Sequence, residues 1–143
     1  MPRFLALDPG SVTVGVAVSD ESGSIARPLA ALPRRPHAAF LAALGSLMEE
    51  YRPEALVMGL PLLQDGGKGK EAQRALSLAH QLRTRLGAKV LTVDESLSSV
   101  EAQGLLSGPL SKRASEPGAR DKLAAALILE RFLKSPASRE PSP

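Results

Sequence analysis

The chain has 143 residues, 43% of them hydrophobic, which suits one domain with a single core. It has no Cys, which excludes disulfides, thiolate zinc sites and Cys nucleophiles, and its 2 His argue against a His-rich metal centre. A net charge of +3 permits nucleic acid without demanding it, and 3% aromatic content argues against a single-strand binder built on base stacking.

Arg3 to Leu7 is nearly all apolar, as expected of a strand buried on both faces. Pro9-Gly10-Ser11 makes a turn, and Val14 to Ser19 is a second strand. Gly10, Gly15 and, further on, Gly59 suit a close backbone approach. After a turn at Asp20 to Gly23, Ile25 to Leu32 reads as a third strand, and Pro28 places it at a sheet edge. Short connections make these three strands antiparallel. Pro33 to Pro36 breaks the pattern. His37 to Tyr51 has apolar residues at helical spacing. Ala55 to Met58 is a short buried strand, Gly59 to Lys70 a Gly- and Lys-rich loop, and Glu71 to Leu86 a helix ended by Gly87. Lys89 to Val93 is a fifth strand. Ser98 to Glu101 looks like a capping box, and Ser107 to Glu116 is polar. Ser115 can cap a last helix carrying Leu123, Ala124, Leu127, Ile128 and Leu129. The expected domain is 1–134, with a disordered Pro/Ser-rich tail over 135–143. The fold class is α/β: a five-stranded mixed sheet of order 3-2-1-4-5, its first three strands antiparallel, with helices on both faces. No apolar run approaches the roughly 20 residues of a membrane span, and the N-terminus enters a strand directly, so a cytoplasmic protein is expected.

In such a fold strand C-termini and helix N-termini can meet at one sheet edge. Asp8 ends the first strand, the pair Asp94-Glu95 ends the fifth, and Asp121 lies in the first turn of the last helix. Each has a plainer reading. Asp-Pro-Gly favours turns anyway, and a helix-start acid complements the dipole by well under ~1 kcal/mol when exposed. Gathered together, however, carboxylates repel one another unless a cation or proton intervenes. A hard divalent ion is the natural partner, and metal with acids points to phosphodiester chemistry. Gly66-Gly67-Lys68-Gly69-Lys70 lacks the spacing of a nucleotide phosphate loop.

The run Leu7-Asp8-Pro9-Gly10-Ser11-Val12-Thr13-Val14-Gly15-Val16-Ala17-Val18 resembles the first hairpin of the ribonuclease H-like superfamily. Four further segments narrow the resemblance to its YqgF (RuvX) branch: Ala26-Arg27-Pro28-Leu29, Met58-Gly59-Leu60-Pro61-Leu62, Asp94 through Ala102, and Asp121 through Leu129. They occur in family order over nearly the whole chain. The branch is similar to Holliday-junction resolvases of the RuvC type, and its members are generally described as nucleases that trim the 5′ end of pre-16S ribosomal RNA. The resemblance implies Asp8, Glu95 and Asp121 as catalytic metal ligands. The sequence departs from the family at Ser96, where Arg is frequent, and at Leu63, where Asn is common.

Two Mg²⁺ or Mn²⁺ ions about 4 Å apart can position water, neutralise charge at phosphorus and assist the leaving oxygen. Asp8, on the central strand, is best placed to bridge them. Alternation sends Asp94 and Glu95 to opposite sides, and the longer Glu95 can reach inward past Gly59, which has no side chain. Arg27, Lys68, Lys70, Lys112, Arg113, Arg120 and Lys122 lie on or near the loops expected to flank the acids, and together could bind nucleic-acid phosphates in a salt-dependent way. The expected function is a metal-dependent endonuclease acting on structured RNA in ribosome maturation, as monomer or homodimer. The alternatives are a DNA four-way-junction resolvase, which acts as a dimer on a two-fold substrate, and a non-catalytic RNA-binding assembly factor.

Overall fold

The computed structural model describes residues 3–10, 12–61, 69–94 and 119–134, with side chains in the last segment from Lys122 onward. The expected polar segment 107–116, the Ser98 capping box, the Ser115 cap and the 135–143 tail lie outside the described residues.

Five strands form one sheet: β1 (Phe4–Pro9), β2 (Thr13–Ser19), β3 (Ala26–Pro33), β4 (Ala55–Leu60) and β5 (Val90–Asp94). Their order is β3-β2-β1-β4-β5, as expected. β1 pairs antiparallel with β2, and β2 with β3; β4 is parallel to both β1 and β5. Pro28 is accommodated on edge strand β3, opposite Ala17, where the register shifts between Val16 and Ala17. Two strand ends differ from expectation in a way that affects the site. β1 runs on through Asp8 to Pro9, and β4 runs on through Gly59 to Leu60. Both extensions are held by ladder pairing, which local turn propensity does not register.

Helices cover both faces. α1 (His37–Tyr51) and α2 (Lys70–Leu86) pack on one side against Leu5, Leu7, Val14, Val16, Leu56 and Met58. α3 (Ala119–Lys134) packs on the other against Phe4, Ala6, Ala17, Val57, Leu91 and Val93. The central strands are therefore buried on both faces, which is why they read as unbroken apolar runs. α2 buries Ala72, Ala75, Leu78, Ala79 and Leu82, a stripe at three- and four-residue steps. Gly87 ends it in the left-handed conformation (φ 64°) with its N–H donating to the Leu82 carbonyl. Ser19, a buried polar residue, is satisfied: its hydroxyl accepts from the Phe4 N–H at 2.8 Å. Among the described residues no helix is long and apolar enough to cross a membrane.

The β2–β3 connection is organised by Asp20. Its carboxylate accepts from the Ser22 hydroxyl (2.6 Å) and from the backbone N–H groups of Ser24 (2.8 Å) and Ile25 (3.0 Å). The Ser22 bond, then those from Ile25 and Ser24, lower its pKa from 3.8 to about 2. Because the folded value lies below the unfolded one, Asp20 stabilises the protein above pH 3.8, and that contribution disappears as pH falls through about 2. A carbon NMR titration of the Asp20 carboxyl is expected to show a midpoint near pH 2; one near 3.8 would mean that these bonds do not persist in solution.

Candidate metal centre

Strand register places Asp8 in an unusual setting. In β1, Leu5 and Leu7 point to the α1/α2 side, while Phe4 and Ala6 point to the α3 side. Period-two alternation therefore puts Asp8 on the α3 face. Asp8 pairs directly with Gly15 of β2. On its other flank, Leu7 pairs with Met58, so the next position of β4, Gly59, lies beside Asp8. Gly15 in turn pairs with Ala31, and Gly59 with Val93. The row across the α3 face thus reads Ala31, Gly15, Asp8, Gly59, Val93. A half-buried carboxylate stands between two buried glycines, with no neighbouring side chain on either adjacent strand of that row.

The helix on this face is anchored at its later end. Phe132 meets Phe4 edge-on, ring centroids 4.9 Å apart, so the end of α3 sits over the beginning of β1. Eleven residues of helix back from Phe132 span about 16 Å, and four residues of strand forward from Phe4 span about 13 Å. The helix is thus long enough for position 121 to reach the level of Asp8 if it runs along β1. In sequence it lies four residues before Ala125, seven before Ile128 and eleven before Phe132, which are buried against the sheet.

Asp94 pairs with Leu60, whose side chain packs with the α1/α2 layer, so alternation sends exposed Asp94 to the face away from Asp8. This favours its neighbour as the third acid, as sequence reasoning has it, but Glu95 itself lies outside the described residues. Among the described residues no three His, Asp or Glu side chains gather as a metal site; of the three expected acids, only Asp8 is described with its side chain. The donor chemistry nonetheless fits a hard divalent ion: a half-buried carboxylate offers oxygen ligands.

The expected phosphate contacts divide. Lys122 is half-buried and shares the first turn of α3 with Arg120 and Asp121. Lys70 opens α2 and is exposed. Lys68, Lys112 and Arg113 lie outside the described residues. Arg27 stands at the other end of the sheet: it pairs with Val18, level with Leu5, and lines a cavity with Arg3, Asp20 and Tyr51. Gly10 donates its N–H to the Thr13 carbonyl (2.9 Å), closing the β1–β2 turn. Two cations at this end, Arg34 and Arg74, escaped sequence reasoning. The only signal was the pair Arg34-Arg35 between two prolines, which looks like a solvated break.

Comparison with known proteins agrees with this architecture. The family model RuvX, described as Holliday junction resolvase, matches residues 2–135. A Lactococcus lactis protein described as a candidate pre-16S rRNA nuclease is 36% identical over 137 residues, covering 94% of this chain and 96% of its own. A Bordetella bronchiseptica protein with the same description is 39% identical over 130 residues, covering 91% and 92%. Among solved structures, Thermus thermophilus RuvC in complex with a Holliday junction substrate superposes with a TM-score of 0.54 over 94% of this chain and 96% of that one; at 17% identity this speaks for the fold.

Proposed function

The chain belongs to the RuvX family, and from that premise we propose that it is a divalent-metal-dependent endonuclease that trims the 5′ end of pre-16S rRNA. The observation that carries the chemistry is Asp8 on the α3 face with Gly15 and Gly59 at its sides. Asp8, Glu95 and Asp121 would hold Mg²⁺ or Mn²⁺, with two ions favoured by the reaction. When bound, the metal supplies charge neutralisation at phosphorus and an activated water.

The rest is done by the chain itself. Asp8 is fixed by ladder bonds on a central strand, so little reorganisation is needed to present its carboxylate. The flanking glycines keep the space beside it clear. α3 sets the height of Asp121 through the packing of Ile128, Leu129 and Phe132. Lys70 and Lys122 add positive charge at the same end, drawing a polyanion in and offsetting the repulsion that the acids present to it. The protein is placed in the cytoplasm, as monomer or homodimer. The family description favours resolution of a DNA four-way junction as the alternative reading.

The deciding experiment incubates the full chain with labelled pre-16S rRNA, linear DNA or four-way junctions, each with Mg²⁺, Mn²⁺ or chelator. Cleavage of the RNA leader with metal, and none with chelator, is expected. Cleavage of the junction alone transfers the assignment to resolution. No cleavage of anything, with RNA still bound, leaves a non-catalytic assembly factor.

A further inference from the structure

We propose that Arg34 and Arg74 bind a backbone phosphate of the RNA, in a cleft on the α1/α2 side of the β1–β2 turn, across the sheet edge from Asp8. The assignment rests on the nuclease reading above and adds a substrate contact that neither the family resemblance nor the expected basic residues included.

Two cavities, of about 80 and 220 Å³, share Arg34 and Arg74 in their walls. The smaller is completed by Pro9, Gly10 and Glu71; the larger extends past His37 and Ser77. Arg34 is half-buried and oriented from both ends. Its backbone N–H donates to the Val12 carbonyl (2.9 Å), and its Nη1 donates to the Gly10 carbonyl (2.7 Å). A guanidinium carries five N–H donors, so most of the fork remains for a ligand. Arg74 stands on exposed helix surface in α2. Among the described residues, no carboxylate comes within ion-pair distance of either guanidinium.

This arrangement is electrostatically unfavourable as it stands. Burial, then the charges of Arg74 and Arg35, push the Arg34 guanidinium below its usual pKa. An anion bound between the two arginines would relieve that repulsion, and two guanidinium forks match phosphate oxygens in geometry as well as charge. Glu71 on the wall opposes an anion and sets a limit on its affinity. A polymer is favoured over a free ion by connectivity. Gly10, which orients Arg34, is two residues beyond Asp8, about 7 Å of strand. An RNA strand crossing this turn would leave one phosphate at Asp8 and a flanking one in the cleft.

The test is binding of a labelled pre-16S leader RNA to the full chain in chelator, by fluorescence anisotropy at several salt concentrations. Arg74→Ala is expected to weaken binding about tenfold, the order of one lost charge-assisted contact. It should also reduce the slope of log K against log salt by about 0.7 to 0.9. Arg34→Lys keeps the charge but loses the fork, and should weaken binding with the slope unchanged. Glu71→Gln should tighten it. Arg85→Ala, an exposed single-charge loss in the last turn of α2, is the comparator. If Arg74→Ala costs no more than Arg85→Ala while wild type binds RNA, the cleft assignment is wrong and the nuclease reading stands. If wild type binds no RNA, the nuclease reading itself fails. Inorganic phosphate, followed through arginine side-chain NMR shifts, is expected to bind far more weakly than RNA. Saturation of the cleft by phosphate with no loss of RNA affinity would make it a free-anion site instead.

Discussion

Asp8→Asn is expected to lower metal-dependent RNA cleavage by at least about 10³-fold, or ~4 kcal/mol at 1.36 kcal/mol per decade, with the fold intact. The two side chains are nearly the same size, and the strand positions flanking Asp8 in its row are glycines, so the packing is expected to hold. What changes is one full negative charge at the place where the proposed ions sit. Asn retains one oxygen ligand but cannot balance two divalent charges. The same substitution separates metal binding from general stability. Mg²⁺ that binds only the folded state should raise the wild-type Tm by an amount that grows with the logarithm of ligand excess over Kd. That rise should be absent in Asp8→Asn, which in chelator, relieved of one repelling carboxylate, should melt no lower than wild type. Wild-type turnover by the variant would remove Asp8 from the chemistry.

The residues that make this prediction possible were visible in the sequence to different depths. Asp8 was legible because an apolar run ended on an acid beside a turn. The sheet order was legible because two short connections forced a meander and two helical segments forced parallel crossovers. Gly59 was misplaced into a loop. A Gly before Leu-Pro reads as punctuation, and its place inside β4 comes from pairing with Val93, a contact 34 positions away. Its opposite number Gly15 was recognised as a close-approach position, but that it faces Asp8 depends on hairpin register, which composition does not encode. In α3 the apolar run was recognised, and Ala124, Ile128 and Leu129 are buried as part of it, but Ala125 and Phe132 are buried too while Leu123 and Leu127 are only half-buried. An almost continuous apolar segment carries little phase information, and the sheet chooses which stripe is covered. Arg34 was overlooked for a related reason. A basic pair flanked by prolines has no local feature that distinguishes solvent from a cleft built by α2, some 40 residues later.

Phe132→Ala is expected to cost about 3–5 kcal/mol of folding stability, a large part of the roughly 5–15 kcal/mol available to a domain. Phe132 is fully buried and meets the Phe4 ring edge-on at 4.9 Å. Truncation removes that contact and opens a cavity beneath α3 that Ala6 and Ala17, small residues on the facing strands, cannot fill. Urea unfolding should show the shift in midpoint, with Leu133→Ala, a half-buried neighbour, costing clearly less. The functional consequence follows from geometry. α3 is fastened to the sheet at the Phe132 end and carries Asp121 at the other, so loosening the fastening lets the first turn drift relative to Asp8. Misplacement by about 1 Å can cost on the order of 10²-fold in rate. Even at a temperature where the variant is almost wholly folded, it should need more Mg²⁺ for half-maximal cleavage than wild type. If its stability falls as expected while its Mg²⁺ requirement stays put, the docking of α3 does not set the metal centre, and Asp121 is held there by other means or does not belong to it.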